Sequence, residues 1–150
     1  MARLPSLHLY NHQKRHKLPL PWLKKIARIA VPACQHEATS PDAPIRVLEE
    51  IEITFVSDEE IARVHGEFLE DPTPTDVITF HHGEILISTD TAERQAAEHG
   101  QSLDHELALY MIHGLLHLGG LEDHEPEEAE KMALIQATIL QLALMKMAQP

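Results

Sequence analysis

The chain is punctuated by short apolar runs separated by turn residues, and the period of each run predicts its element. Leu7 to Tyr10 is a short apolar piece fit for a strand. Pro19 and Pro21 follow it where a helix begins, and that helix is expected from about Trp22 to Cys34. His36 to Pro44 holds Ser, Thr, Asp and two prolines and reads as a loop. From Ile45 to Val56 apolar and polar positions alternate, most clearly in the second half, which predicts a strand with one buried face. Ser57 and Glu60 have the spacing of a capping box, opening a helix to about Phe68.

Two prolines between Glu70 and Thr75 end that helix. Asp76 to Phe80 and Glu84 to Thr89 are β-type segments joined by His81-His82-Gly83, which predicts a tight hairpin with both histidines as turn residues. Thr91 to His99 reads as a helix closed by Gly100, and Ser102 can cap a second one running through Leu118. After Gly119-Gly120 and a short acidic loop, Pro126 stands at a first helical position, and a helix of about twenty residues follows. The order β, α, β, α, β, β, α, α, α predicts an α+β fold: a small mixed sheet of about four strands packed against helices.

Composition narrows the function classes. With 150 residues and no second compositional regime, one domain spanning residues 1–150 is expected. The single cysteine, Cys34, forbids an intrachain disulfide, favours a reducing compartment, and reads as a small buried apolar residue. Neither a secretory h-region nor a bilayer-length apolar run is present, so the expected location is the cytoplasm, with no membrane partner. A formal net charge of −12 argues against nucleic-acid binding through a broad basic surface. The basic cluster from Arg3 to Arg28, with His8, His12 and His16, is read as a solvated face.

The chemistry concentrates in HGLLHLGGLEDH, from His113 to His124, on a helix and the loop after it. His113 and His117 are one helical turn apart, so both imidazoles leave one face and can reach one ion. Gly119-Gly120 can end the helix and reverse the chain, bringing Glu122, Asp123 and His124 back toward that face. Three protein ligands with one position left for water is the pattern of a catalytic zinc, which activates water near neutral pH. A peptidase of the His-Glu-x-x-His type needs glutamate where this chain has Gly114, so that class is disfavoured. Glycine there is expected to leave room beside the metal. Glu106, upstream on the same helix, is read as a solvated or supporting group rather than the base.

These residues resemble the YbeY family of bacterial metal-dependent endoribonucleases, which act in ribosomal RNA maturation and ribosome quality control. The likeness runs from about Ile51 to Met132. It includes PTDVITF at Pro74 to Phe80, GEILIST at Gly83 to Thr89, TAERQAAEHGQSLDHELA from Thr91, and HGLLHLGG at His113 to Gly120. The resemblance implies one Zn²⁺ per chain held by three histidines. It also implies cleavage of single-stranded RNA, action in small-subunit rRNA 3′ maturation, and the ribosome or its small subunit as partner.

This chain departs from the family pattern twice. The family's third histidine falls six residues after the second, where this chain has Asp123, with His124 one later. A loop that starts on glycine absorbs one residue easily and keeps three nitrogen donors, so His113, His117 and His124 are the expected ligands, with Asp123 as the oxygen alternative. The family's RNA-contacting arginine falls on Leu69, which cannot fork onto phosphate oxygens, and Arg63 lies nearly two turns earlier. Thr75 and Asp76 match the family and are read as shaping the strand entry after Pro74. The missing arginine and the acidic charge favour a second reading, a ribosome-associated assembly factor with a mainly structural metal. A zinc peptidase is the least supported.

Overall fold

A computed structural model describes residues 3–70 and 75–149. Ile51, Ile53 and Phe55 alternate with Glu50, Glu52 and Thr54 along β2 (Glu50–Val56), so one face of this strand is wholly apolar. β1 (Ser6–Asn11) pairs parallel with β2, placing Leu7 beside Ile51 and Leu9 beside Ile53. On the other side β4 (Glu84–Ser88) pairs parallel with β2, setting Ile85 beside Ile53 and Ile87 beside Phe55. β3 (Val77–Phe80) joins β4 antiparallel, giving the order β1-β2-β4-β3 with β3 at the edge. The mixed four-stranded sheet and its helices make the α+β fold expected from the sequence.

The apolar sheet face packs on α1 (Leu20–His36) and α5 (Leu103–Leu118). Phe55, Ile53, Ile85, Leu23, Ile26 and Met111 are fully buried there, each contributing roughly 1.5–3 kcal/mol of transfer free energy. The opposite face is covered in part by α3 (Asp58–Leu69), through Ile61 and Val64 against Val56, Ile78 and Leu86.

The expected strand from Ile45 begins later than its pattern suggests. Pro44 sits in the first turn of a short helix, α2 (Pro44–Val47), that buries Ile45, and β2 starts only at Glu50. Ser57 does accept from the Glu60 amide, but the Glu60 carboxylate turns to Arg63, so the reciprocal half of the expected box is absent. Ser88 caps α4 (Thr89–His99), two residues before the predicted start, and Gly100 closes it at φ 66°. The β3–β4 turn forms at His81-His82-Gly83, with the Gly83 amide donating to Phe80 O at 2.9 Å and Gly83 at φ 110°. The proline-rich segment Asp71 to Pro74 lies outside the described residues.

α5 is buried on nearly all sides, as its apolar composition requires. Its incompletely covered positions after Asp104 are His105, Leu109, His113 and His117, a stripe at four-residue spacing. α6 (Pro126–Met147) starts at the predicted proline, closes over α1 and α5, and brings Gln136 to the open stripe. No helix among the described residues is long and apolar enough to cross a membrane.

Candidate metal centre

His113 and His117 leave α5 on its open stripe, and their Nε2 atoms lie 3.0 Å apart. The His117 Nδ1–H donates to Leu121 O at 2.9 Å, and since a carbonyl only accepts, that nitrogen carries the proton. The His113 Nδ1 is 2.9 Å from Gln136 Oε1 and is fixed in the same sense. Both rings therefore turn an Nε2 lone pair toward one point, with protons held on the far side as in ligating imidazoles. Burial, followed by the neighbouring His113, pushes the His117 pKa below the usual imidazole value, against the pull of Leu121 O, Asp123 and Glu122. The ring is thus neutral, and able to ligate, at neutral pH.

The loop supplies the third donor. Gly119 caps α5, Gly120 at φ 91° reverses the chain, and the Leu121 amide closes onto Leu116 O. A Cβ on Gly120 would collide with the Thr39 hydroxyl, so this reversal needs glycine for room as well as for φ. Asp123 then comes to 3.4 Å from His113 Nε2 through Oδ2 and 3.7 Å from His117 Nε2 through Oδ1. Two ligands bound at about 2.05 Å with tetrahedral angles stand about 3.3 Å apart. The spacings of 3.0, 3.4 and 3.7 Å match that value, and the two-nitrogen, one-carboxylate donor set suits a divalent cation. Among the described residues, His113, His117 and Asp123 form the group able to hold a metal ion.

His124, expected as a ligand from sequence, points elsewhere. It is exposed, with Nε2 on Glu122 Oε2 at 2.9 Å. The loop needs no extra residue: Asp123, six residues after His117, turns its carboxylate inward, and the His124 imidazole turns out. Gly114 is also placed differently from the expectation of room beside the metal. One residue past His113 is 100° around the helix, so Gly114 backs onto Ile85 and Thr79 of the sheet. Glu106 is buried rather than solvated, 3.6 Å from His99 Nδ1, in a separate cavity with Asp76, Tyr110 and Gln136.

The other sequence candidates fall outside the cluster. Asp76 accepts from the Val77 amide at 2.7 Å and shapes the strand entry, as expected. Arg63 is clamped between Glu60 and Glu67 and lines a different groove, so it does not replace the missing arginine. Leu69 is exposed and lines the cleft of about 280 Å³ that opens from His117 and Asp123. In the N-terminal basic cluster, Arg3 pairs with Glu49, and Arg15 with Asp90 and Glu93. Cys34 is buried, and burial pushes its thiol pKa up. Gln136 and the Leu121 carbonyl carry no sequence signal, because their roles depend on how α6 and the loop pack. Gln136→Leu is expected to lower metal affinity about 10–100-fold while leaving the fold intact, measured by competition with a chromophoric chelator.

An α+β fold with a two-histidine, one-carboxylate cluster at the mouth of a cleft defines a candidate metal-binding protein. The sequence model described as Endoribonuclease YbeY matches residues 8–143, and the chain belongs to that family. A relative from Heliobacterium modesticaldum, named Endoribonuclease YbeY, is 33% identical over 79% of this chain and 81% of its own. One of the same name from Syntrophotalea carbinolica is 31% identical over 89% of this chain and 92% of its own. The solution structure of TM1509 from Thermotoga maritima shares the fold, with a TM-score of 0.64 at 22% identity, covering 93% of this chain and 90% of that one.

Proposed function

We propose that this chain is a zinc-dependent endoribonuclease that cuts single-stranded RNA, with His113, His117 and Asp123 holding one ion. The observation that carries the reading is the convergence of these three donors, at ligand spacing, on the mouth of an open cleft. Such an ion, when bound, activates water and polarises a phosphoryl oxygen. The chain's own part is to fix the donors. Leu121 O and Gln136 hold both imidazoles in the ligating tautomer, and Gly120 sets the turn that delivers Asp123. The side chains of His113, His117 and Asp123 are 21%, 24% and 33% exposed, so a substrate can reach the centre without unfolding the loop.

Membership of the family supports a role in ribosomal RNA processing. We extend the proposal to small-subunit rRNA 3′ maturation and ribosome quality control in the cytoplasm, with ribosomal RNA and the small subunit as partners. The second reading, an assembly factor whose metal only secures the loop, draws support from the acidic charge and from Leu69. Cleavage separates the two. Pure zinc-loaded protein is expected to cut a single-stranded RNA, to lose this with a chelator, and to lose it in His113→Ala and His117→Ala. Cleavage indifferent to chelation would overturn the nuclease reading. Chelator-sensitive thermal stability together with ribosome co-sedimentation and no cleavage would instead establish the assembly factor.

A further inference from the structure

Beside the metal cleft lies a second cavity, of about 370 Å³, within the size range of small-molecule sites. It is walled by α4, α5, α6 and the strand entry at Thr75 and Asp76. Thr75 lines both the cavity and the cleft, and Gln136 lines the cavity while holding His113 through Oε1 at 2.9 Å. Glu106 is only 3% exposed, yet its Oε1 has no hydrogen-bond partner among the described residues. His99 Nδ1 stands 3.6 Å from that oxygen, too far for a hydrogen bond, on a side chain that is 57% exposed. A buried carboxylate oxygen left in this way is costly and calls for a donor. With Oε1 engaged by His113, Gln136 has only its two amide protons to offer, and they meet no acceptor among the described residues. Burial, and then Asp76 and Glu106, push the Tyr110 phenol above its usual range, so it keeps its proton as a further donor.

We propose that this cavity is a base-specific subsite that takes a guanine of the RNA strand lying on the neighbouring centre. The inference deepens the endoribonuclease reading above and rests on it. Single-stranded RNA is read by hydrogen bonds to the exposed edges of its unstacked bases. Guanine presents N1–H and the N2 amino group as adjacent donors, suited to a carboxylate, with O6 beside them to accept an amide or phenol proton. Glu106 supplies the carboxylate, and Gln136 and Tyr110 supply the protons. Adenine and cytosine each offer one amino group next to a ring nitrogen whose lone pair would face Glu106. Uracil offers one N–H between two carbonyls. A metal ion suits the cavity poorly, because among the described residues only His113, His117 and Asp123 converge at ligand spacing. An ammonium group would leave the Gln136 amide protons without an acceptor. A base held on the Gln136 amide engages the same side chain that orients His113, which couples base recognition to the centre.

The test sets short labelled oligouridylates carrying one guanosine, one inosine, one adenosine or none against the full-length protein. Binding is read by fluorescence anisotropy with chelator present, and cleavage is read with zinc. Wild type is expected to bind the guanosine strand about tenfold more tightly than the all-uridine strand. Inosine, which lacks the N2 amino group, should fall between them. With zinc, the cut should lie at a fixed distance from the guanosine. Glu106→Leu should bind all four strands alike, and Glu106→Gln, whose amide pairs with adenine, should move the preference to adenosine. A buried side chain that only supports the fold would lower Tm without exchanging one base for another. Should the leucine variant fail to fold, the glutamine exchange decides alone. Equal affinity of wild type for the four strands, or a guanosine preference kept or simply lost in Glu106→Gln with no gain for adenosine, would overturn the inference. Cleavage by the zinc-loaded wild type without regard to guanosine overturns the subsite alone. A guanosine preference in binding with no cleavage by the zinc-loaded protein upholds the subsite and overturns the nuclease reading.

Discussion

Asp123→Ala is expected to weaken metal binding by at least about 100-fold, whereas His124→Ala leaves it within about twofold of wild type. The expectation follows from where the loop sends each side chain. Asp123 lies within 3.4 and 3.7 Å of the two imidazole nitrogens, while the His124 side chain is 79% exposed and held by Glu122. Removing the carboxylate leaves two neutral nitrogens to hold a divalent ion, losing a bond and the only negative charge in the donor set. Truncating His124 breaks one exposed ion pair, worth about 0–1 kcal/mol. Competition with a chromophoric chelator measures both variants, and RNA cleavage is expected to follow metal content. The reverse order, with His124→Ala losing the ion and Asp123→Ala keeping it, would restore the three-histidine set implied by the family's motif. Asp123→His adds a discriminating arm. It should retain the ion if the inward position is what matters, since zinc accepts either donor.

What is legible in the sequence is whatever rests on local periodicity. The four-residue spacing of His113 and His117 fixes a shared face on any helix, and Gly119-Gly120 announces the reversal that follows. The hairpin at His81 to Gly83 and the helix starting at Pro126 are readable for the same reason. The third donor is not, because whether Asp123 or its neighbour His124 turns inward is decided by loop torsions that no periodicity encodes. Here Gly120 at φ 91° and the Leu121 contacts to Leu116 and His117 turn the loop in favour of Asp123. Glu106 shows the same boundary. On helix position alone it reads as a polar group near the solvent, but α4 closes over it and buries it beside His99. The short helix at Pro44 is hidden by Ile45 to Val56, whose apolar positions serve a turn first and a strand only afterwards.

Gly114→Ala is expected to destabilise the protein by up to about 2 kcal/mol and to loosen the metal centre, although alanine is the better helix former. Two effects oppose one another. Alanine gains about 1 kcal/mol over glycine in a helix interior. The new Cβ, however, would stand 2.8 Å from Ile85 Cγ2, 3.0 Å from Ile85 Cδ1 and 3.3 Å from Thr79 Oγ1. Ile85 is fully buried at the centre of the sheet, between Ile53 on β2 and Thr79 on β3, and has no free volume to enter. Overpacking of this kind costs about 1–3 kcal/mol and exceeds the propensity gain over most of that range. Relief requires α5 to lift from the sheet, and α5 carries His113 and His117 while Asp123 and Gln136 are carried by other segments. The substitution should therefore lower both Tm and metal affinity, which a loss of helix stability alone would not do. Ile85→Ala removes both clashing carbons and on its own costs about 2–5 kcal/mol. Combined with Gly114→Ala it should cost less than the sum of the two, by about 1 kcal/mol or more, because the added methyl then occupies the space isoleucine vacated. Strict additivity in that double-mutant cycle would show that Gly114 is not the contact that sets the distance between α5 and the sheet.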